Sequence, residues 1–265
     1  MTNFNYNKVL HEIIASKQSH KILNGMLAAA ESFKTNDNKR LDCGVVFYGE
    51  YKIIIPSTDM NISRNDKKVI RSMIGAEIDF IVKELDEDNK IAVASRKEAM
   101  ELRKSIELIK HKIGEKVQVR VTGIGKNNCI VDCYGLESSV PINEIDYGYI
   151  DDISKCVQIG DKALGIIKEM DIENNIIKIS LKEAKEDPYD FLIKSLNKGG
   201  EYLGIVTGIQ DYGIFLTLRK GINCLCPFPN WTNFSPVIGG KFVVKIKKID
   251  YEKRKINANL MRTVN

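Results

Sequence analysis

The stretch GEYLGIVTGIQDYGIFLTLRKGINCLCP, residues 200–227, with GGKFVVKIKKIDYEKRKINANL, residues 239–260, decides how the chain is read. From Gly213 to Leu218 a period of two sends Ile214, Leu216 and Leu218 to one face of a strand and Phe215 and Thr217 to the other. Phe215 therefore falls on the polar face, with Tyr212 at the strand entrance. A second strand, Phe242 to Ile249, alternates Val244, Ile246 and Lys248 against Val243, Lys245 and Lys247. Outward aromatics beside outward lysines make a stacking platform in a cationic groove, the arrangement that holds single-stranded nucleic acid with little sequence preference.

The same pattern recurs. GEKVQVRVTGIGKNNCIVDCYGLESSVP, residues 114–141, lies over the stretch that begins at Gly199 and shares VTGI at Val121 and Val206. Each copy continues into a second block, IGDKALGIIKEMDIENNIIKISL from Ile159 and IGGKFVVKIKKIDYEKRKINANL from Ile238. An earlier, worn copy reads CGVVFYGEYKIIIP from Cys43 and IGAEIDFIVKELDEDNKIAVAS from Ile74. Each copy has about five short alternating segments separated by Gly, Asn and Asp, the signature of a small closed barrel. Helical periodicity lies outside the copies, in residues 6–23, in Arg96 to Lys112 with Met100, Ile106 and Ile109 on one stripe, and in a short piece after Pro188.

The fold expected is mainly β, with three tandem five-stranded barrels. The boundaries are an N-terminal helix over 1–22, a degenerate first barrel over 23–95, a connecting helix over 96–111, a second barrel over 112–186, a short helix or linker over 187–198 and a third barrel over 199–265.

Charge separates the copies. Residues 199–265 carry ten basic and four acidic side chains, net +6, whereas residues 112–186 carry ten basic and thirteen acidic, net −3. An anionic partner therefore suits the C-terminal copy. No apolar run of membrane-spanning length and no signal-peptide pattern is present, and six cysteines are too few for a disulfide framework, so a cytoplasmic protein with reduced thiols is expected. Cys129 with Cys133 and Cys224 with Cys226 invite a metal reading, but the internal alignment puts them at inward strand positions, as small buried apolar groups. His11, His20 and His111 have no evident nucleophile beside them, and GIGKNN from Gly123 lacks the rest of a phosphate-binding loop. No cofactor, metal site or enzymatic activity is expected.

The order of glycine, alternating strand, aromatic-Gly, apolar-Phe, a later valine-Gly-Asp, a strand and then an Asp in a basic turn resembles the RNA-binding repeat of ribosomal protein S1, an OB-fold barrel. That resemblance implies an RNA surface of two aromatics on adjacent strands, a third aromatic or histidine, and an Asp with a basic residue in the last turn. In the third copy Tyr212 and Phe215 match the aromatics, Asp250 the acid, and Arg254 or Lys255 the base. The histidine position falls near Pro227 and Phe228, where Phe228 or Trp231 supplies a ring. Lys245, Lys247, Arg254 and Lys255 are the expected phosphate contacts. The second copy has Asn127 and Ile130 in place of the aromatics, and the first aligns Leu41 and Gly44 there.

The expected function is non-enzymatic binding of single-stranded RNA through the third barrel, with the ribosome or another protein as further partner and neither a membrane nor a small-molecule substrate. The alternative is a scaffold whose barrels dock to a ribosomal or RNA-processing protein; the aromatic pair and the net +6 favour RNA.

Overall fold

In the computed structural model residues 2–34, 40–62, 66–148, 150–231 and 234–264 are described. The chain divides into two compact units, Met1–Ile145 with Asp152–Ala184, and Asp146–Asp151 with Lys185–Asn265.

In the first unit, helix α1 (Thr2–Ser19) ends where His20 adopts a left-handed backbone, φ 53°. It is shorter than the expected 1–22, and Ile13 on its inner face is fully buried. The first sheet comprises β1 (Leu23–Lys34), β2 (Arg40–Tyr48), β3 (Tyr51–Pro56), β4 (Glu77–Asp86) and β5 (Ile91–Ser95), closed in the order β1-β2-β3-β5-β4. All neighbours are antiparallel except β3 and β5, the one parallel pair. This is the five-stranded OB connectivity. Leu27, Val46, Ile53, Ile55, Ile78 and Phe80 fill the barrel. A helix that periodicity did not reveal, α2 (Lys67–Ser72), bridges β3 and β4, with Asp66 as its N-cap accepting from the Lys68 N–H.

Helix α3 (Arg96–Ile106) starts at an N-cap Ser95 and stops six residues short of Lys112, giving way to a single 3-10 turn at Leu108–Lys110. The expected apolar stripe is broken accordingly. Met100 and Leu108 are buried, whereas Ile106 and Ile109 face solvent.

The second sheet contains β6 (Lys116–Ile124), β7 (Asn128–Cys133), β8 (Leu136–Pro141), β9 (Lys162–Asp171) and β10 (Ile176–Ser180) in the order β10-β9-β6-β7-β8. The strand order is the same, but the closing parallel ladder between β8 and β10 does not form, so two sheets are closed barrels rather than the three expected. β8 still packs beside β10 and is also tied to α3. Arg96, only 1% exposed, donates to the Met60 carbonyl at 2.8 Å and to Glu137 at 2.7 Å. The turn before β8 has positive φ at both Tyr134 (49°) and Gly135 (90°), the type I′ hairpin geometry. A Cβ on Gly135 would lie 2.2 Å from the Met100 carbonyl oxygen, so only glycine fits beneath the helix.

The first two repeats also share a buried ionic cluster. Arg120 on β6 donates to Asp79 on β4 at 2.8 Å and to Asp132 on β7, and Arg103 on α3 donates to Asp79 at 2.6 Å. Burial pushes the Asp79 carboxyl up, but the Arg120 and Arg103 guanidiniums override it and hold the group below the usual carboxylate range. The four inward cysteines Cys129, Cys133, Cys224 and Cys226 are buried, and desolvation pushes the Cys129 thiol up to about 11.

The second unit opens with α4 (Tyr189–Leu192), the short helix expected after Pro188. Its barrel is β11 (Glu201–Gln210), β12 (Gly213–Arg219), β13 (Ile222–Cys226), β14 (Lys241–Asp250) and β15 (Lys255–Val264), closed in the order β11-β12-β13-β15-β14. Val206, Ile214, Leu216, Ile222, Val244 and Ile256 form its core. A bulge in β14, between Ile246 and Lys248, breaks the alternation read from sequence and turns Lys248 outward with Lys247.

Candidate nucleic-acid interface

β11 and β12 are joined by a two-residue turn, Asp211–Tyr212, because Gln210 pairs with Gly213. Gly213 takes φ 155°, and a Cβ there would lie 2.7 Å from the Cys226 carbonyl oxygen. That tight closure lifts Tyr212 clear of the barrel, where it is 67% exposed. Phe215 follows on the outward face of β12, half-buried between Gly208 of β11 and Leu225 of β13. The two rings meet edge to face, centroids 6.0 Å apart and planes at 89°.

At the same end of the barrel β14 turns into β15. Asp250 accepts the Lys253 N–H at 2.9 Å, and Arg254 sits in a left-handed conformation, φ 50°. Tyr212, Phe215, Asn223, Arg254, Lys255 and Asn257 thus line one cleft of about 360 Å³, with Leu225 in its floor. Of the residues anticipated from sequence, four of eight meet here. Arg254 is already engaged. It stacks on Tyr189 at 4.8 Å and donates to Asp187 at 2.5 Å and to Asp190 at 3.2 Å, and the Asp187 hydrogen bond raises its pKa further.

Lys245 and Lys247 lie elsewhere, around a neighbouring depression with Lys198 and Asn259. β15 connects the two places: Lys255, Asn257 and Asn259 all point outward between the buried Ile256, Ala258 and Leu260. Alternate residues are about 7 Å apart along a strand. Aromatics and lysines therefore share one continuous face.

Phe228 lies past the end of β13, 42% exposed, and does not line the cleft. Trp231 packs edge-on against Phe234, which in turn meets Phe242, so its ring belongs to that cluster. Asp250 shapes its turn, and the same role recurs at Asp86, which accepts from Asn89 at 3.0 Å, and at Asp171, which accepts from Asn174 at 3.0 Å. Because the two repeats without aromatics keep this acid, its geometry is that of the hairpin.

Comparing the repeats by strand register isolates what is particular to the third. Phe215 corresponds to Ile130 in the second, and Tyr212 to Asn127. In the first, the hairpin register puts Val45 and Asp42 at those places, one residue later than the sequence alignment that chose Gly44 and Leu41. On the same outward face Thr217 and Asn223 correspond to Asp132 and Glu137. In the second repeat those carboxylates receive guanidiniums from the chain itself, Asp132 from Arg120 and Glu137 from Arg96. The third repeat has no acid at either position.

The bulge lysine tells the same story. Lys83, Lys168 and Lys247 are the residues skipped by the three corresponding hairpin registers. Lys83 is bridged to Glu98, and Lys168 to Glu183 at 2.5 Å. At the corresponding sequence distance the third repeat has Arg262, and Lys247 has no carboxylate partner among the described residues. Sequence reading missed Asn223, Leu225, Asn257 and Lys198. The first three were detectable as the outward neighbours of inward Cys224, Cys226 and Ile256.

Among the described residues no group of three or more His, Cys, Asp or Glu could hold a metal ion, and no helix is long and apolar enough to cross a membrane. No family model matches the chain. Individual relatives do. Small ribosomal subunit protein bS1 of Pseudomonas aeruginosa is 28% identical over 200 residues, 70% of this chain and 35% of that protein. The bS1 of Mycolicibacterium smegmatis is 26% identical over 205 residues, 72% of this chain and 42% of that protein. A 4-hydroxy-3-methylbut-2-enyl diphosphate reductase of Fusobacterium nucleatum is 25% identical over 227 residues, 81% of this chain but 27% of that protein. The chain thus spans between about a quarter and two fifths of the length of these relatives. The solution structure of GSP13 from Bacillus subtilis superposes loosely, with 17% identity and a TM-score of 0.26 over 48% of this chain and 92% of that one. With the repeated strand pattern, the bS1 relatives show that this chain resembles the S1 RNA-binding repeat family.

Proposed function

We propose that the third repeat binds single-stranded RNA, that the chain does so without catalysis of its own, and that it acts in association with the ribosome or translation. The observation that carries the reading is the meeting of Tyr212 and Phe215 with Lys255 and Arg254 in one cleft of the third barrel. Stacking on aromatics is worth about 1–3 kcal/mol per base, so two rings supply roughly 2–6 kcal/mol. A micromolar complex needs about 8 kcal/mol. The remainder falls to phosphate contacts, for which Lys198, Lys245, Lys247 and Lys255 border the outward face of β15. The net +6 of residues 199–265 acts in the same direction. Asp250 contributes by shaping the turn that presents Arg254, and Phe228, past the strand end, serves at most as an outlying ring.

The ribosomal association rests on the bS1 relatives, whose name places them in the small subunit. The reading is tested by titrating the full chain against a labelled single-stranded RNA, beside Phe215→Ala and the matched change Ile130→Ala in the second repeat. Binding that weakens about tenfold with the first and not with the second supports the assignment. Equal effects of the two, or no RNA binding at all, overturn it, and the latter outcome directs attention to protein partners.

A further inference from the structure

A stacking platform alone tolerates every base, because every base has a π-face, and gives only modest preferences that follow stacking strength. The cleft beside Phe215 has more than a platform. Its polar floor is two carboxamides, Asn223 on β13 and Asn257 on β15, either side of Leu225, whose register partners are Phe215 and Asn257. Thr217, opposite Asn223 in the β12–β13 ladder, joins its hydroxyl to the Asn223 side-chain oxygen at 2.6 Å. One end of that amide is therefore tethered, which restrains its rotation, and its amino group is left to donate. Asn257 has no side-chain partner among the described residues, and both asparagines are exposed.

The corresponding positions elsewhere are not amides. They are Glu137 and Lys178 in the second repeat and Lys52 and Val93 in the first. A neutral group carrying both a donor and an acceptor suits a base edge, whereas phosphate would be met by cations.

We propose that Asn223 and Asn257 read the edge of the base that stacks on Phe215, with Thr217 as a positioning residue, so that the third repeat prefers one base at this place. This rests on the RNA-binding reading above. Stacking fixes the base plane, the barrel surface fixes which edge faces inward, and the amides then favour the edge whose donors and acceptors complement theirs. A good amide–base pair discriminates by roughly 5- to 150-fold.

The test is titration of the full chain with labelled 12-nucleotide rA, rC and rU, for the wild type, for Asn223→Ala with Asn257→Ala, and for Thr217→Val. Both asparagines are solvent-exposed, so the double variant keeps its fold, which circular dichroism checks. The wild type is expected to separate its best and worst RNA by at least fivefold. The double variant should compress that range to about twofold while binding the worst RNA nearly as well as the wild type does, and Thr217→Val should fall between. Because rings alone favour some bases, the compression decides the matter. A wild type without preference, or a double variant that weakens equally toward all three RNAs, overturns the base-reading role and leaves RNA binding standing. Failure to bind any of the three overturns both.

Discussion

Replacing Tyr212 by Ala removes the most exposed ring of the cleft and little else. The side chain is 67% exposed and sits in a two-residue turn, so its loss opens no cavity, and unfolding stability should stay within about 0.5 kcal/mol of wild type. Its contribution to binding is one stack, about 1–3 kcal/mol or roughly 5- to 150-fold in Kd. We expect a value above the lower limit. Phe215 is half-buried against Leu225 and meets Tyr212 edge-on at 6.0 Å, so the tyrosine both offers the freer face and braces its neighbour. We expect a loss of tenfold or more in fluorescence anisotropy. Tyr212→Phe should remain within about twofold, and Tyr212→Leu, which keeps apolar area but has no π-face, should resemble Ala. The salt dependence should not change, since no charge is removed. A folded Ala variant with wild-type affinity, or a Leu variant as good as Phe, would refute stacking as the source of the energy.

Lys245→Gln with Lys247→Gln should flatten the dependence of log K on log salt by about 1.4, two phosphates at about 0.7 each; an unchanged slope in a salt titration means that these lysines only decorate the surface. Asp187→Asn with Asp190→Asn keeps a cap for the Tyr189 N–H but removes the carboxylates that hold Arg254, so RNA affinity should rise severalfold and the salt slope steepen; a fall would mean that the acids position the arginine rather than compete for it. Arg120→Leu leaves Arg103 as the one remaining guanidinium beside the buried Asp79 and Asp132 and should cost up to about 3–5 kcal/mol in urea unfolding of the first unit. The pH dependence has a definite sign: Asp79 is held below its ordinary value, so its contribution is complete above about pH 4 and is lost as pH falls through the folded value, and the deficit of Arg120→Leu should shrink in acid. A deficit that is constant from pH 7 to pH 3 would remove the cluster from that account.

The strand pattern was legible because barrel strands alternate with a period of two around a core, and Val206, Ile214, Leu216 and Val244 sit where that period puts them. It failed at the bulge, where Lys247 adds one residue and reverses the phase of Lys248. The end of α3 was hidden because Ile106 and Ile109 continue an apolar stripe that the helix does not use. Sequence also suggested three closed barrels, the first degenerate, because a strand pattern shared by the second and third copies does not show whether the last ladder closes. For the cleft, Tyr212 and Phe215 were visible as outward aromatics. Asn223 and Asn257 were not, because an asparagine in a strand has no signature until its neighbours across the ladder are known.

The divergence of the repeats follows from what occupies a few outward positions on similar strand orders. Where the second repeat has Asp132 and Glu137, arginines of the same unit fill the face, and Asp132 and Arg120 help to hold β7 to β4 through Asp79. Such a face is electrostatically spent. A phosphate arriving there would meet carboxylates, and displacing an arginine from them would expose buried charge at a cost of several kcal/mol. The first repeat uses its own groove similarly: Lys52, at the place of Asn223, is bridged to Glu31 at 2.7 Å and lies 5.6 Å from the centre of the Phe33 ring. Thr217 and Asn223 in the third repeat call for no internal counterion, and Lys247 is spared the acid that neutralises Lys83 and Lys168. Removing two carboxylates from an outward face and one from a rim costs a barrel nothing in its core, which is built from the opposite face of each strand. On the reading proposed above, the same scaffold therefore binds its neighbour in one copy and an external polyanion in the next.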